Sequence, residues 1–358
     1  MPKIVLQGRI AHKMRGLSNL LGISCQVLAR RAIGKPLVRE WPVIFEMATL
    51  FWRAQFNHAF SLADIKEARA YFDSVISLPD TLPAVDVIPS SPGEPAGAWY
   101  VPRCSKGEAT VLYFHGGGYT YYAEVSRLFI ALLADWLGLR IFAPDYRLTP
   151  EHPHPAQQED GLAAYRFLLT RGIAPEKLVV CGDSAGGHLT LMTLIRLRET
   201  GLAQPALAIA LSPWTDTGLR GASQFGNDVY DMVQGYMTLQ FSEWLKGGQA
   251  YDDHALSPIY QDLRGLAPIY LQAGGKEILV DMIRDFARTV AEQGGRVRLD
   301  VWEHMTHEFH AYGALIPESA QALDQMRRVI DCATLGLSPA ALPSLKQTEV
   351  DTLAVYQC

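Results

Sequence analysis

The chain has 358 residues, of which 49% are hydrophobic and 19% are charged, and its formal net charge is −5 at pH 7. These values are typical of a globular protein, so they exclude wholesale disorder, and the net negative charge carries no signature of nucleic-acid binding. The length is more than one compact domain usually needs, so we expect one core and an additional smaller segment.

The cysteines and the N-terminal sequence indicate a location inside the cell. Five cysteines are scattered along the chain without the paired spacing of a zinc site or a disulfide framework. Arg9, Lys13 and Arg15 interrupt the apolar residues of the N-terminal segment, which therefore lacks a signal-peptide core. No apolar run reaches the length of about 18 residues that a membrane span needs. These features predict a cytoplasmic protein.

The first part of the chain is basic and predicted to be helical. Residues 1–53 hold two acids against nine Lys or Arg residues, namely Lys3, Arg9, Lys13, Arg15, Arg30, Arg31, Lys35, Arg39 and Arg53. Apolar residues fall near helical spacing, and aromatic residues are frequent from Trp41 to Phe60, which predicts two or three helices over residues 1–64. A basic amphipathic start could also meet a membrane surface or a lipid aggregate. A cap with a solvated basic face is the interpretation that we favour, and the membrane or lipid contact is the alternative.

Eight runs of period-2 or continuous apolar character predict eight β-strands. They lie at residues 84–88, 96–101, 110–114, 140–143, 178–180, 207–211, 269–273 and 297–302. Predicted helices at 125–137, 157–170, 188–200 and 279–293 separate most of the later strands, and a closing helix is predicted at 318–333. This βαβ alternation is typical of a mainly parallel sheet flanked by helices, the α/β class.

The break in this alternation predicts the domain organisation. Residues 214–252 contain Gly-rich turns and scattered aromatics without a strand pattern, which indicates a second cap segment. The last residues contain Pro339 and Pro343 and no periodicity. We therefore predict N-terminal cap helices at 1–64, a catalytic core at 65–213 and 253–335, a second cap segment at 214–252, and a C-terminal tail at 336–358.

The sequence LVVCGDSAGGHL at residues 178–189 places a Gly-x-Ser-x-Gly turn between a predicted strand and a predicted helix. Such a turn holds its central residue, Ser184, in strained backbone geometry, and glycine is needed on both sides because a side chain would clash. The hydroxyl is then exposed at the carboxyl end of a buried strand, above the positive end of a helix. This placement predicts that Ser184 is a nucleophile.

A second glycine motif, HGGGY at residues 115–119, follows the predicted strand at 110–114. Three consecutive glycines let backbone N–H groups approach a ligand closely, as the stabilisation of a developing oxyanion requires. A flexible glycine turn is the alternative interpretation of this motif.

With these motifs, the chain resembles the bacterial esterase branch of the hormone-sensitive lipase family of α/β-hydrolases. The resemblance covers roughly residues 75 to 330 and rests on HGGGY at 115–119, DYRLTPEHPHPA at 145–156, GDSAGG at 182–187, LSP at 211–213, Ser257-Pro258, and MTHEF at 305–309. It implies the α/β-hydrolase fold, with a mainly parallel eight-stranded sheet flanked by helices and a helical cap.

The resemblance also implies a catalytic triad. A serine hydroxyl needs a base to take its proton, and the base needs an acid that fixes its tautomer; in α/β-hydrolases the chain order is serine, acid, histidine. His307 matches the catalytic histidine of the family, with His304 and His310 as alternatives. Glu277 stands where the family commonly has aspartate, and Asp281 is the alternative acid.

By the same resemblance, the oxyanion hole consists of the backbone N–H groups of Gly116, Gly117 and Ala185. His115 and Asp183 are expected to be structural, since the residue before the elbow serine points away from the substrate. We assign no chemistry to three residues of the 145–156 motif, which in the family braces the active-site loops: Arg147, Glu151 and His152.

The expected activity is that of a serine carboxylesterase working through an acyl-enzyme, with no metal or organic cofactor. The family's common pattern has Gly-Ser a few residues after the glycine triplet, whereas this chain has the bulky sequence YTYYA at 119–123. We therefore predict a narrowed aromatic pocket that favours short acyl groups or aromatic esters and includes Tyr119, Tyr122 and Trp214. Packing of the tyrosines into the core, with their hydroxyls bonded, is the alternative.

Other functions remain open from the sequence. The same triad could cleave amides, carbamates or lactones. A metal-dependent hydrolase using His304, His307 and His310 would lack the HExxH motif or an acid-rich ligand set. A non-catalytic ligand-binding receptor on the same fold is opposed by the presence of a serine, an acid and a histidine. The predicted partner is a small-molecule ester and not a nucleic acid, and the family's dimers allow a homodimer.

Overall fold

The computed structural model describes residues 3–335, and its first elements form an N-terminal unit (residues 3–78). The unit consists of β1 (Lys3–Leu6), α1 (Ile10–Ala32), α2 (Val43–Ser61), α3 (Ile65–Phe72) and β2 (Val75–Leu78). The helices predicted at 1–64 are present. The sequence did not predict that β1 pairs antiparallel with β2, because two separate four-residue strands carry too little periodicity.

The strands of the main sheet match the eight predicted ones to within three residues at either end. They are β3 (Val85–Pro89), β4 (Gly97–Pro102), β5 (Thr110–Phe114), β6 (Arg140–Pro144), β7 (Leu178–Asp183), β8 (Leu207–Leu211), β9 (Ile269–Gly274) and β10 (Val297–Trp302). Their order across the sheet is β10-β9-β8-β7-β5-β6-β4-β3. Only the pairings of β4 with β3 and with β6 are antiparallel, so the prediction of a mainly parallel sheet is confirmed.

Helices cover both faces of this sheet. They are α4 (Glu124–Leu137), α5 (Ala156–Thr170), α6 (Ala185–Glu199), α10 (Val280–Glu292) and α11 (Pro317–Leu335), close to the predicted bounds. Successive residues of β5 point to opposite faces: Leu112 packs in the cluster with α5, α6 and α10, whereas Val111 packs in the cluster with α4 and α11. Parallel strands buried on both faces are apolar throughout, which explains the continuous runs in the sequence.

The segment at residues 214–252, predicted to have no strands, contains the helices α7 (Ser223–Gly226) and α8 (Gly235–Lys246), and α9 (Asp253–Leu256) follows it. Phe60 of α2 packs against Phe241 and Trp244 of α8, with ring centroids 5.1 and 5.6 Å apart. The N-terminal unit and the 214–252 segment are therefore in contact. The predicted domain boundaries stay predictions, and the predicted tail at 336–358 lies outside the described residues.

No helix within residues 3–335 combines the length and apolar character that crossing a bilayer requires.

Candidate active site

Ser184 occupies a strained turn between β7 and α6. Its backbone angles are φ 54° and ψ −117°, a conformation that a residue with a side chain rarely adopts. A Cβ on Gly182 would lie 2.3 Å from the Gly186 carbonyl oxygen, and one on Gly186 would lie 1.9 Å from the Phe114 carbonyl oxygen. Both flanking positions therefore require glycine, as the sequence predicted.

Hydrogen bonds from the neighbouring strand hold this turn in place. The Ser184 amide donates to the Leu211 carbonyl at 2.9 Å, and the Trp214 amide donates to the Ser184 carbonyl at 3.1 Å. Because Leu211 ends β8, the serine is fixed to two adjacent strands rather than to its own loop alone. Its hydroxyl consequently has a defined direction at the carboxyl edge of the sheet.

His307 lies in the loop after β10, with its Nε2 2.9 Å from Ser184 Oγ. The ring is buried, and burial lowers the pKa of His307 to about 3. The imidazole is therefore neutral at physiological pH and can accept the serine proton at Nε2, which leaves the ring proton on Nδ1. Nδ1 is buried and has no hydrogen-bond partner among residues 3–335.

Glu277 lies in the loop after β9 and is completely buried. Its Oε2 accepts hydrogen bonds from Ser212 Oγ at 2.7 Å and from the Gly274 amide at 2.9 Å. Its Oε1, like His307 Nδ1, has no partner within the described part of the chain. Burial raises the pKa of Glu277 to about 8; the Ser212 hydrogen bond works in the opposite direction, and the nearby Asp231 carboxylate adds to the rise.

Asp231, which the sequence analysis did not select, connects the loops of these two residues. Its Oδ1 accepts from the His307 amide at 3.2 Å, and its Oδ2 accepts from the Ile278 amide, next to Glu277, at 2.7 Å. Burial raises the pKa of Asp231 to about 7. Arg53 of α2 donates to the Asp231 carbonyl at 2.6 Å. A lone aspartate in an aperiodic segment gave no signal from which this role could be predicted.

The glycine motif after β5 lies beside the serine turn. A Cβ on Gly117, whose φ is +100°, would lie 2.3 Å from the Tyr121 carbonyl oxygen, so the position requires glycine. The amides of Gly117 and Ala185 donate no hydrogen bond to any residue that the structure describes. The Asp183 carboxyl lies against Gly116: a Cβ on Gly116 would lie 2.2 Å from Asp183 Oδ2.

Glu308 is a second residue that the sequence analysis did not select, although it follows His307 directly. Its backbone is left-handed, with φ 53°, and its Oε1 lies 3.6 Å from His307 Nε2. Asp183 is its neighbour and accepts a hydrogen bond from the Tyr113 hydroxyl at 2.5 Å. Burial raises the pKa of both carboxyl groups, and their proximity adds to the rise for Glu308. Two buried carboxyl groups this close together disfavour the state in which both are ionised.

The residues expected to be structural make structural contacts. The His115 ring is stacked between Tyr122 and Tyr146, with centroids 3.7 and 4.2 Å away, and its Nδ1–H donates to the Gly116 carbonyl at 2.7 Å. Arg69 of α3 donates to Glu151 and also to the carbonyls of Thr120 and Thr149. The N-terminal unit therefore holds the residue that directly follows the glycine motif.

Arg147 and His152 of the 145–156 motif contact residues near the start of α5. Arg147 forms ion pairs with Glu159 and Asp160 at the start of α5. The His152 carbonyl accepts from Gln157 Nε2 at 2.6 Å. These contacts tie the loop after β6 to α5.

The residues of the predicted pocket have defined partners. The Tyr119 hydroxyl donates to His188 Nδ1 at 2.6 Å, and Tyr122 packs between His115 and the Arg127 guanidinium. These contacts resemble the alternative interpretation, in which the tyrosines pack internally. The Trp214 ring is buried near His188, and its Nε1–H has no partner among the described residues. The pocket itself stays a prediction.

The residues that the sequence offered as alternative acid or histidine have other partners. Asp281 accepts a hydrogen bond from the Ser223 amide of α7 at 2.9 Å. The His304 side chain is 41% exposed and lies 4.0 Å from Glu40, whereas His310 is buried and packs on Phe309. Among residues 3–335, no group of three or more His, Cys, Asp or Glu side chains could hold a metal ion.

Comparisons with known proteins agree with this architecture. Residues 111–311 match the model of a family described as having the α/β-hydrolase fold. The chain is 33% identical to an acetyl-hydrolase of Streptomyces hygroscopicus over 71% of its own length and 84% of that protein. It is 30% identical to an esterase of Acinetobacter venetianus, over 61% of its own length and 74% of that protein.

Solved structures extend the likeness to most of the chain. An esterase from the bacterial hormone-sensitive lipase family superimposes with a TM-score of 0.67 and 27% identity, covering 88% of this chain and 98% of that one. A hormone-sensitive lipase from a metagenome library gives a TM-score of 0.71 and 28% identity, covering 79% of this chain and 98% of that one. The chain therefore belongs to the hormone-sensitive lipase family of α/β-hydrolases and is a carboxylic ester hydrolase.

Proposed function

We propose that the chain is a serine carboxylesterase that hydrolyses short-chain or aromatic esters through an acyl-enzyme, with Ser184 as nucleophile, His307 as base and Glu277 as orienting acid. The observation that carries the proposal is the 2.9 Å contact between His307 Nε2 and Ser184 Oγ, made at a strained turn. A buried neutral imidazole within hydrogen-bond distance of a half-buried serine hydroxyl is the arrangement that nucleophilic catalysis requires.

The reaction follows from these positions. Ser184 Oγ attacks the ester carbonyl while its proton moves to His307 Nε2, which then donates that proton to the leaving alkoxide. The acyl group remains on Ser184. His307 next takes a proton from water, the resulting hydroxide attacks the acyl carbonyl, and the proton returns to Ser184 as the acid product leaves.

Glu277 suits the role of orienting acid better than Asp281. His307 Nδ1 carries a donor without a partner, and Glu277 Oε1 is an acceptor without a partner, both of them buried. An unsatisfied buried donor and acceptor are each costly, so a rotation that joins them is favourable. Asp281 is already bonded to the Ser223 amide. The ionised Glu277 would stabilise the imidazolium that forms during each proton transfer.

The oxyanion hole is proposed to consist of the amides of Gly117 and Ala185, with Gly116 as the third predicted donor. The first two amides donate to no described residue and are free for a ligand. The Gly116 amide faces the Asp183 carboxyl and lowers the pKa of Asp183, so that carboxyl competes with a substrate oxyanion for it. The Asp183–Glu308 pair is proposed to weaken this competition by keeping a proton.

Asp231 is proposed as a positioning residue. It touches neither Ser184 nor the reacting atoms, but one carboxylate holds the amides of His307 and Ile278 and so fixes the base loop against the acid loop. Small displacements of a base cost much of the rate, because proton transfer needs hydrogen-bond geometry.

The preference for short acyl groups rests on two observations. The relative from Streptomyces hygroscopicus is named an acetyl-hydrolase. In this chain, Phe241 of α8 packs so closely on the glycine motif that a Cβ on Gly118 would lie 2.3 Å from its ring, so no acyl group fits between Gly118 and this ring. Cleavage of amides, carbamates or lactones by the same triad, a homodimer and a cytoplasmic location stay predictions.

Substitution of the triad is expected to abolish hydrolysis of p-nitrophenyl acetate. Ser184→Ala and His307→Gln should each lower kcat/KM by about 10³-fold or more, and Glu277→Gln by about 10²-fold or more, because the nucleophile is then absent or lacks activation.

The length of the acyl chain tests the proposed substrate class. The wild-type rates with p-nitrophenyl acetate, butyrate, octanoate and palmitate should fall as the acyl chain lengthens.

Matched controls separate the triad from its alternatives. His304→Gln and Asp281→Asn change the neighbouring histidine and acid and should leave kcat/KM within about threefold of wild type. If Asp281→Asn removed activity while Glu277→Gln retained it, the assignment of the acid would be wrong. A folded wild type without turnover on any of the four esters would instead contradict the proposed substrate class.

Asp231→Asn tests the positioning residue. The amide has one acceptor oxygen instead of two, so it cannot hold both the His307 and the Ile278 amides, and kcat should fall by about 10- to 100-fold with little change in KM. Asp228→Asn is the matched control in the same segment, since Asp228 accepts a hydrogen bond from the Gly235 amide and, within residues 3–335, from neither the His307 nor the Ile278 amide. Equal kcat values for the two variants would refute the role of Asp231.

The pH dependence of kcat/KM tests the role of Glu277. Its raised pKa means that the required anion forms as the pH rises through about 8, so kcat/KM should increase over that range. Ser212→Ala removes the hydrogen bond that lowers this pKa and should move the midpoint to higher pH. Ser242→Ala, which deletes a buried hydroxyl near Asp253, should not move it. An unchanged or lower midpoint in Ser212→Ala would contradict the account.

A further inference from the structure

The outer face of α1 carries a row of exposed apolar side chains, from which we infer that α1 docks on the surface of an anionic lipid bilayer. The row consists of Ile10, Met14, Leu21 and Leu28, which are between 56% and 77% exposed. At about 100° per residue, the four side chains fall within an arc of about 40° along the helix. A continuous apolar row of this kind marks a surface that a partner or a membrane covers.

The opposite face of α1 packs against the rest of the N-terminal unit. His12, Gly16 and Val27 are buried there, and a Cβ on Gly16 would lie 2.4 Å from Val75 Cγ2 of β2. The helix therefore cannot turn its outer row inward without leaving its packing site. With one face held by the protein, α1 is suited to lie in the plane of a bilayer surface with its outer row inserted at the level of the headgroups.

The charges around the row select the partner. Arg9 and Arg31 are paired with Glu67 and Glu46. The cations without a carboxylate partner among the described residues include Lys13, Arg15, Lys35 and Arg39. An anionic lipid bilayer has negatively charged headgroups over an apolar acyl layer. The headgroups would contact the unpaired basic side chains, and the acyl layer would contact the apolar row. A second copy of the chain bound to the same face would place the basic side chains of the two copies close together, and repulsion between like charges opposes that contact.

Docking of α1 would bring the cap side of the molecule to the lipid. Helix α1 packs on α2, and Arg53 of α2 holds the carbonyls of Val229 and Asp231. Some esters partition into lipid. A bilayer bound at α1 would bring such esters close to the side of the protein where the N-terminal unit meets the 214–252 segment. This consequence rests on the proposed esterase function, whereas the docking itself does not.

The test is flotation of the full-length chain with lipid vesicles, using the Ser184→Ala variant beside wild type so that hydrolysis of lipid has no influence. Vesicles of phosphatidylcholine are compared with vesicles in which about one third of the lipid is phosphatidylglycerol. Both proteins should bind the anionic vesicles at least about tenfold more strongly than the neutral ones, and high salt should weaken this binding. Equal binding to both vesicle types, or none to either, would overturn the proposal.

Substitutions locate the surface. Replacing Met14 and Leu21 together by serine should weaken binding to anionic vesicles by about tenfold or more, and so should Lys13→Glu with Arg15→Glu. Leu82 and Leu219 are 60% and 70% exposed elsewhere, and their replacement by serine is the matched control. The changes in α1 and the control changes are made in the chain that retains Ser184, and unchanged hydrolysis of p-nitrophenyl acetate by these variants shows that they fold.

Two results would overturn the assignment of this surface. One is anionic binding that survives the changes in α1. The other is a dimer, measured by light scattering, that the double serine change in α1 dissociates, because a second copy would then be the occupant.

Discussion

The close packing of the turn at Ser184 is the constraint on which the site depends. Gly186 lies so near the Phe114 carbonyl that a methyl group would not fit, and the serine keeps a φ of 54° because β7 and β8 hold it on both sides. This packing fixes the hydroxyl at the carboxyl edge of a rigid parallel sheet. The other side chains of the proposed site, His307 and Glu277, lie in loops that follow the neighbouring strands. Their positions relative to the hydroxyl therefore depend on what holds those loops.

The loops are held together by buried carboxyl groups rather than by the core alone. Asp231 lies in the 214–252 segment, accepts from the loops after β9 and β10, and is itself linked to α2 through Arg53. The N-terminal unit also reaches the glycine motif through Arg69. The geometry of the proposed site therefore depends on regions outside the sheet, so a displacement of the N-terminal unit would disturb both the His307 loop and the loop that follows β5.

The sequence predicted what repeated patterns and local motifs encode. The buried strands of the main sheet are long apolar runs, so all eight were found, and the strained turn needs glycines at fixed spacing, so Ser184 was found as a candidate nucleophile. Asp231 and Glu308 were missed because their roles come from contacts between distant segments. The tyrosines after the glycine motif show the same limit, since composition could not tell a pocket wall from the packing around His115.

Labelling of the nucleophile tests the central claim most directly. The protein is treated with diethyl p-nitrophenyl phosphate, which esterifies activated serines, and the modified site is found by peptide mass mapping. The account predicts one diethylphosphoryl group per chain, located on Ser184, with activity lost in proportion to labelling. A label on another residue, or an esterase that stays fully active without any label on Ser184, would contradict it.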